Sequence, residues 1–343
     1  MAIPIQNVYY LLCYAWDRLE ARQLVDLGTV PGHRLDNLLG MALSACTARL
    51  IRQGLDRGYV VHEEDGRRLR GKLLVADTLT RMLLPQGRAA CQTDELSHDV
   101  PHNQMLKAAL RRLVASAELD TKLRAELRSH LARFADVSDV ALDPDAFRRV
   151  QLHRNIARYG FAMHLCWLIA RSFLPERATK AVRFHPFTAD EREMGHLFEA
   201  FVRNFLRREQ DDYKVTAPKV PWAAEAADAG DLAWLPQMRT DVTLTSSSRR
   251  IVVETKFYAK QFQSHYDTKK VRSAHLYQLL TYLAQIRATS DTTPAGCLLY
   301  ARAGPDRHLR YRIDGHDITV ASLDLNQPWR QIHRDLLDLS SEL

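Results

Sequence analysis

The segment Ile251-Val252-Val253-Glu254-Thr255-Lys256-Phe257 constrains this chain most, because it reads as an apolar β-strand carrying two opposite charges on one face. Val252, Glu254 and Lys256 point the same way when side chains alternate. A buried strand accommodates charges only if they are paired, protonated or used. Residues 240–245 form a second strand-like run, joined to the first through Ser246-Ser247-Ser248-Arg249. A bulge-free hairpin pairs Thr245 with Arg250, and counting outward sets Asp241 opposite Glu254, with Cβ atoms ~4.5–5.5 Å apart. Carboxylates that close repel unless a cation or a proton lies between them. Oxygen ligands of this kind suit Mg²⁺, with Mn²⁺ as a substitute, and Lys256 adds a compact cation. The chemistry implied is phosphodiester hydrolysis. A structural salt bridge is the competing reading of so short a pattern.

The surrounding sequence supplies a scaffold for this hairpin. Helical spacing of apolar residues places helices over 35–53, 103–118, 121–134 and 156–173, after a first one over 8–19. Runs 59–62 and 69–75 read as a small β element turned by Glu63-Glu64-Asp65-Gly66. Pro175, Glu176, Arg177 and Pro186 interrupt the pattern over 174–188. The expected domains are therefore 1–175, helix-rich, and 185–343. In the second, Met194, Leu197, Phe198, Phe201, Val202, Phe205 and Leu206 form one stripe of a helix capped by Asp190. Strands at 214–220, 240–245, 250–257, 296–301, 309–313 and 318–323 are interspersed with helices at 274–287 and 329–339. That alternation predicts an α/β (α+β) domain with a mixed central sheet flanked by helices.

Forty-eight Lys and Arg against 41 Asp and Glu give a charge of +7, which favours a polyanionic partner. Arg67, Arg68, Arg70 and Lys72 form the densest basic cluster, in a pattern more often found on a solvated face than at a nucleic-acid site. Five cysteines without a Cys-x-x-Cys pair argue against a structural zinc site or a disulfide framework. No apolar run reaches bilayer length and no basic leader precedes Val8, so a cytoplasmic protein is expected. Tyr9, Tyr10, Tyr14 and Trp16 read as core aromatics rather than base-stacking residues. His98 and His102, near Asp94 and Asp99, are interrupted by Pro101 and read as a surface loop rather than a metal cluster. His265, near Asp267, reads as exposed or near phosphate rather than as a general base.

The order Asp241, then Glu254-Thr255-Lys256, resembles the Asp…(Asp/Glu)-x-Lys signature of the PD-(D/E)xK nuclease superfamily. Gln278 and Tyr282, four apart on one helical face, resemble the Gln-x-x-x-Tyr motif of RecB-like nucleases. The opening Ile3-Pro4-Ile5-Gln6-Asn7-Val8-Tyr9-Tyr10-Leu11-Leu12-Cys13-Tyr14-Ala15-Trp16 resembles the start of the McrC family. So do Arg70-Gly71-Lys72, Asp94-Glu95-Leu96, His102-Asn103-Gln104-Met105-Leu106-Lys107, Met238-Arg239-Thr240-Asp241-Val242, Glu254-Thr255-Lys256-Phe257-Tyr258 and Leu276-Tyr277-Gln278-Leu279-Leu280-Thr281-Tyr282.

This resemblance implies the nuclease subunit of a McrBC modification-dependent restriction system. Its N-terminal domain would dock on a hexameric ring of the AAA+ GTPase McrB and stimulate it, and the C-terminal domain would cut DNA. Recognition of 5-methylcytosine in double-stranded DNA would lie mainly with McrB. It also implies Asp241 and Glu254 as metal ligands, Lys256 as the catalytic lysine, Glu199 as an additional metal-binding acid, and Gln278 and Tyr282 as accessory catalytic-site residues. The sequence has no Gly-x-x-x-x-Gly-Lys-Ser/Thr loop, so no GTP site of its own is expected. A nuclease-dead adaptor that only activates the ring, and a stand-alone RecB-like repair nuclease, are the alternatives.

Overall fold

The computed structural model describes residues 3–343 except 32–33, 151–153, 176–181, 185–186, 227, 258–262, 266–267, 291 and 303–307. The chain divides into two units, Thr29–His185 and Met1–Gly28 together with Pro186–Leu343. Tyr258 and Asp267 lie outside the described residues.

The chain opens with α1 (Ile5–Ala15), along which Tyr9, Leu12 and Tyr14 are buried. Sequence reading assigns residues 1–28 to the first domain, but the structure groups them with residues 186–343. The tie is local and polar as well as apolar: Asn7 Nδ2 donates to the carbonyls of Leu325 and Gln327, both at 2.8 Å.

In Thr29–His185 the helices are α2 (Leu35–Gln53), α3 (Val75–Thr80), α4 (Pro101–Ala115), α5 (Thr121–Leu131), α6 (Pro144–Phe147) and α7 (Gly160–Ser172). Helices α2, α4, α5 and α7 enclose a core that includes Leu39, Leu43, Leu106, Leu110, Leu127, Leu165 and Ile169. Asp120 caps α5 by accepting from the amides of Lys122 and Leu123. Strands β1 (Gly58–Gly66), β2 (Lys72–Leu73) and β3 (Ala89–Ser97) form a sheet ordered β1-β3-β2. The expected hairpin between 59–62 and 69–75 is thus replaced. Glu63, Glu64 and Asp65 continue β1 opposite Gln92, Cys91 and Ala90 rather than turning. The physical reason is length: β3 offers β1 a ladder along its whole span, whereas β2 is two residues long. His98 lies in the bend after β3, but His102 differs from the expected loop. His102 is buried on α4, 3.1 Å from the Asp56 carboxylate, and its ring meets Tyr159 edge-on. Short strands β4 (Phe173–Pro175) and β5 (Val182–Phe184) pair at the end of the unit.

The other unit is built on α8 (Glu191–Glu209), capped by Asp190, whose side chain accepts from the amides of Arg192 and Glu193. Met194, Phe198, Phe201, Val202 and Phe205 are fully buried along one stripe. Tyr14 of α1 lies edge-on to Phe201 at 5.9 Å, and its hydroxyl donates to Glu209 at 2.6 Å. Downstream come β6 (Lys214–Thr216), β7 (Lys219–Val220), β8 (Met238–Arg239), β9 (Val242–Thr245), β10 (Arg250–Phe257), β11 (Gln263–His265) and β12 (Thr268–Lys270). The single strand expected over 214–220 is therefore two short ones. α9 (Ser273–Ala288), β13 (Ala295–Arg302), β14 (His308–Ile313), β15 (His316–Asp324) and α10 (Trp329–Glu342) complete the chain.

Six of these strands form one mixed sheet, ordered β14-β15-β13-β10-β9-β6, parallel across β10-β13-β15 and antiparallel elsewhere. Helix α9 covers the face bearing Val252, Leu298 and Val320 with Leu279 and Leu283. Gly296 lets it approach, since a Cβ there would meet Leu279 and Leu283 side chains at 2.9 Å. The fold is mixed α/β, as the alternation of elements predicts. No helix among the described residues is long and apolar enough to cross a membrane.

Candidate active site

The register of β9 on β10 follows the hairpin arithmetic from Thr245↔Arg250 to Val242↔Val253, and there the ladder stops. Asp241 does not pair across from Glu254 in the ladder. It sits at a bend just before β9. The bend is held by Thr240 Oγ1 against Thr243 Oγ1 at 2.9 Å and by the Thr240 amide on the Pro218 carbonyl at 3.2 Å. From it the Asp241 carboxylate reaches β10: Oδ2 accepts from the Thr255 amide at 2.8 Å and from Thr255 Oγ1 at 2.7 Å. Both bonds fall on one oxygen.

Glu254 is 2 % exposed. Its Oε1 accepts from Lys256 Nζ at 2.8 Å, while its Oε2 is buried with no hydrogen-bond partner among the described residues. Burial, then the nearby Asp241 charge, push the Glu254 carboxyl up to about 7 despite the Lys256 ammonium. Asp241 is likewise raised, by burial and then by Glu199, against the lowering effect of the Thr255 bonds. These groups pay a desolvation cost that a hard cation would relieve.

Lys256 Nζ also donates to Gln278 Oε1 at 2.9 Å, and Gln278 Nε2 donates to Tyr282 Oη at 3.0 Å. Gln278 and Tyr282 thus stand in one line behind the ammonium, because residues four apart on α9 share a face. Burial raises the Tyr282 hydroxyl. Glu199 lines the same cleft as Asp241, Glu254 and Lys256, a cavity of about 410 Å³. Its Oε1 is held by Arg203 at 2.6 Å, and that guanidinium also donates to the Asp241 carbonyl at 3.2 Å. All six residues expected at the site are therefore linked by hydrogen bonds or share the cleft. No cluster of three or more His, Cys, Asp or Glu suited to a metal is present among the described residues.

Sequence reading missed Thr255 and Arg203. Thr255 is the variable position of a Glu-x-Lys pattern, but Arg203 was signalled by its spacing of four from Glu199. It also missed His275, three residues before Gln278 on the same helical face. His275 Nδ1 lies 2.9 Å from Tyr300 Oη, and burial, with Lys256 and Arg272 nearby, pushes the imidazole down to about 4.

Residues 6–301 match the family described as McrBC 5-methylcytosine restriction system component. The chain is also 31% identical over 340 residues, 99% of its length and 98% of the relative's, to the Escherichia coli (strain K12) protein "Type IV methyl-directed restriction enzyme EcoKMcrBC". The chain belongs to the McrBC restriction-component family. A solved half-complex from the tetradecameric assembly of Thermococcus gammatolerans McrB AAA+ hexamers with bound McrC contains a chain of the same fold. That match has a TM-score of 0.53 and 16% identity, and covers 98% of this McrBC-family chain and 76% of the other. The cleft around Asp241, Glu254 and Lys256 thus belongs to an McrC-like component of a McrBC restriction system.

Proposed function

We propose that this chain is the DNA-cutting subunit of its McrBC system, a Mg²⁺-dependent endonuclease that works docked on a McrB-type AAA+ GTPase. The observation that carries the reading is the convergence of Asp241, Glu254 and Lys256 in one cleft with Glu254 Oε2 left unpartnered. A buried carboxylate oxygen without a donor fits a cation ligand, and two carboxylates leave room for water and phosphate, as Mg²⁺ prefers. Asp241 and Glu254 would hold the ion; Glu199 would join through Oε2, since Arg203 holds only its Oε1. When bound, such an ion neutralises charge on the phosphodiester and acidifies water.

The chain's own groups then divide the work. Thr255 fixes Asp241 through Oδ2, so the carboxylate keeps one orientation toward the cleft. Glu254 and Gln278 occupy two of the three protons on Lys256 Nζ, and the third is available to a non-bridging phosphate oxygen or the attacking water. Tyr282 holds Gln278 in place. An ammonium fixed in this way needs no reorganisation as charge develops.

For the docking role, Thr29–His185 presents an unusual surface. Tyr59, Val61, Leu69, Leu73, Val75 and Leu96 are exposed on or beside the β1-β3-β2 sheet, next to Arg67, Arg68, Arg70 and Lys72. Exposed apolar side chains grouped on one sheet mark an interaction surface. The purified chain mixed with its cognate AAA+ GTPase, methylated DNA, GTP and Mg²⁺ is expected to make double-strand cuts, and Lys256→Ala to abolish them while GTPase stimulation persists. Cutting that survives this substitution, or that needs neither GTP nor partner, would overturn the reading.

A further inference from the structure

We propose that the exposed face of α8 formed by Arg192, Gly195 and His196 grips the phosphate backbone of DNA beside the bond that is cut; this rests on the nuclease reading above. Residues 192, 195, 196 and 199 are spaced at i, i+3, i+4 and i+7, so they share one helical face. All four line the cleft that holds Asp241, Glu254 and Lys256.

The charge of the cleft argues for a dedicated grip. Glu191, Glu199, Asp241 and Glu254 line it with carboxylates, which repel a phosphodiester until they are neutralised. The basic side chains of the lining are Arg192, His196 and Lys256. Lys256 has two of its three protons committed to Glu254 and Gln278, leaving one for the cleft. Arg192, by contrast, is exposed and makes no ion pair among the described residues. Its planar fork of donors matches two oxygens of one phosphate. His196 is 66 % exposed at its side chain, and its nearest carboxylate, Glu199, stands at 4.0 Å, beyond hydrogen-bond reach.

Gly195 is an independent observation in favour. Glycine inside a helix is unfavourable, and α8 runs through it without a break. No neighbour requires it, because a Cβ built there would meet nothing within 4 Å. The helix therefore goes without a side chain at the wall position between Arg192 and His196, leaving room for a backbone to lie against it.

The test uses the full chain in complex with its GTPase, reading cleavage against DNA concentration at several salt concentrations. Arg192→Ala is expected to raise KM for DNA roughly tenfold with a smaller effect on kcat, and to reduce the slope of log affinity against log salt by about one. Arg192→Lys should restore the salt slope and part of the KM. Gly195→Leu should leave the melting temperature unchanged or raised while raising KM, the opposite of what a folding defect does. If wild type cuts DNA but these variants keep its KM and salt slope, the grip on α8 is refuted and the nuclease reading stands. If the wild-type complex does not cut at all, the nuclease reading fails and takes this inference with it.

Discussion

Replacing Lys256 with Met should destabilise the sheet-bearing unit in a strongly pH-dependent way. Lys256 Nζ lies 2.8 Å from Glu254 Oε1, and the two side chains are 13 % and 2 % exposed. Breaking a buried pair from one side costs ~3–5 kcal/mol when the remaining charge cannot escape. Glu254 can escape by keeping a proton. Its carboxyl is raised from 4.5 to about 7 in the folded chain, so the folded state binds more protons than the unfolded one between those values. Its contribution to stability is therefore present at low pH and lost as pH rises through about 7. At pH 6 Glu254 is already largely neutral, and Lys256→Met should cost about 1 kcal/mol or less. At pH 8.5 the cost should approach ~3 kcal/mol, a fall of ~6–12 °C in melting temperature for a unit of this size. Adding Glu254→Gln should recover most of that loss. The measurement is thermal unfolding of wild type, both single variants and the double variant in chelator at the two pH values. A Lys256→Met penalty equal at pH 6 and 8.5, or one that Glu254→Gln does not relieve, would show that the pair is not coupled as argued.

Other substitutions separate the remaining contributions. Thr255→Val removes one of two donors to Asp241 Oδ2 and keeps the backbone one, so Mn²⁺ affinity by calorimetry should drop about 10–100-fold, with Thr255→Ser near wild type; equal affinities would remove Thr255 from the site. Gly71 has φ +71°, and a Cβ there would fall 2.2 Å from the Gln92 carbonyl oxygen. Gly71→Ala should therefore destabilise the β1-β3-β2 sheet by about 2 kcal/mol or more and speed amide exchange along β3, and unchanged exchange would contradict that packing. His275, pushed from 6.5 to about 4, is held neutral; its share of stability is present above about 6.5 and lost as pH falls toward 4. Acid unfolding of His275→Gln should be less steep across that window than that of wild type.

Much of this site was legible because strand alternation and helical spacing are rigid rules. The alternation in 251–257 put Glu254 and Lys256 on one face, and the spacing of four aligned Gln278 with Tyr282; both groups meet at Lys256 Nζ. Hairpin counting ran correctly to Val242↔Val253. It failed at Asp241 because side-chain bonds between Thr240 and Thr243 bend the chain, and no pattern of apolar residues records such a bend. The order β1-β3-β2 was hidden for a different reason. Pairing between strands distant in sequence depends on how much ladder each partner offers, whereas a glycine after acidic residues gives only a local turn signal. The grouping of α1 with residues 186–343 was equally out of reach, since its stripe of Tyr9, Leu12 and Tyr14 says that something covers it but not what.

That grouping orders events during synthesis. A ribosome releases Thr29–His185 whole, able to close its own core, while the earliest helix still awaits partners up to 320 residues downstream. The carbonyl of Leu325 must emerge before Asn7 has its acceptor. The half of the chain that bears the acidic cleft is in this way the last to be finished.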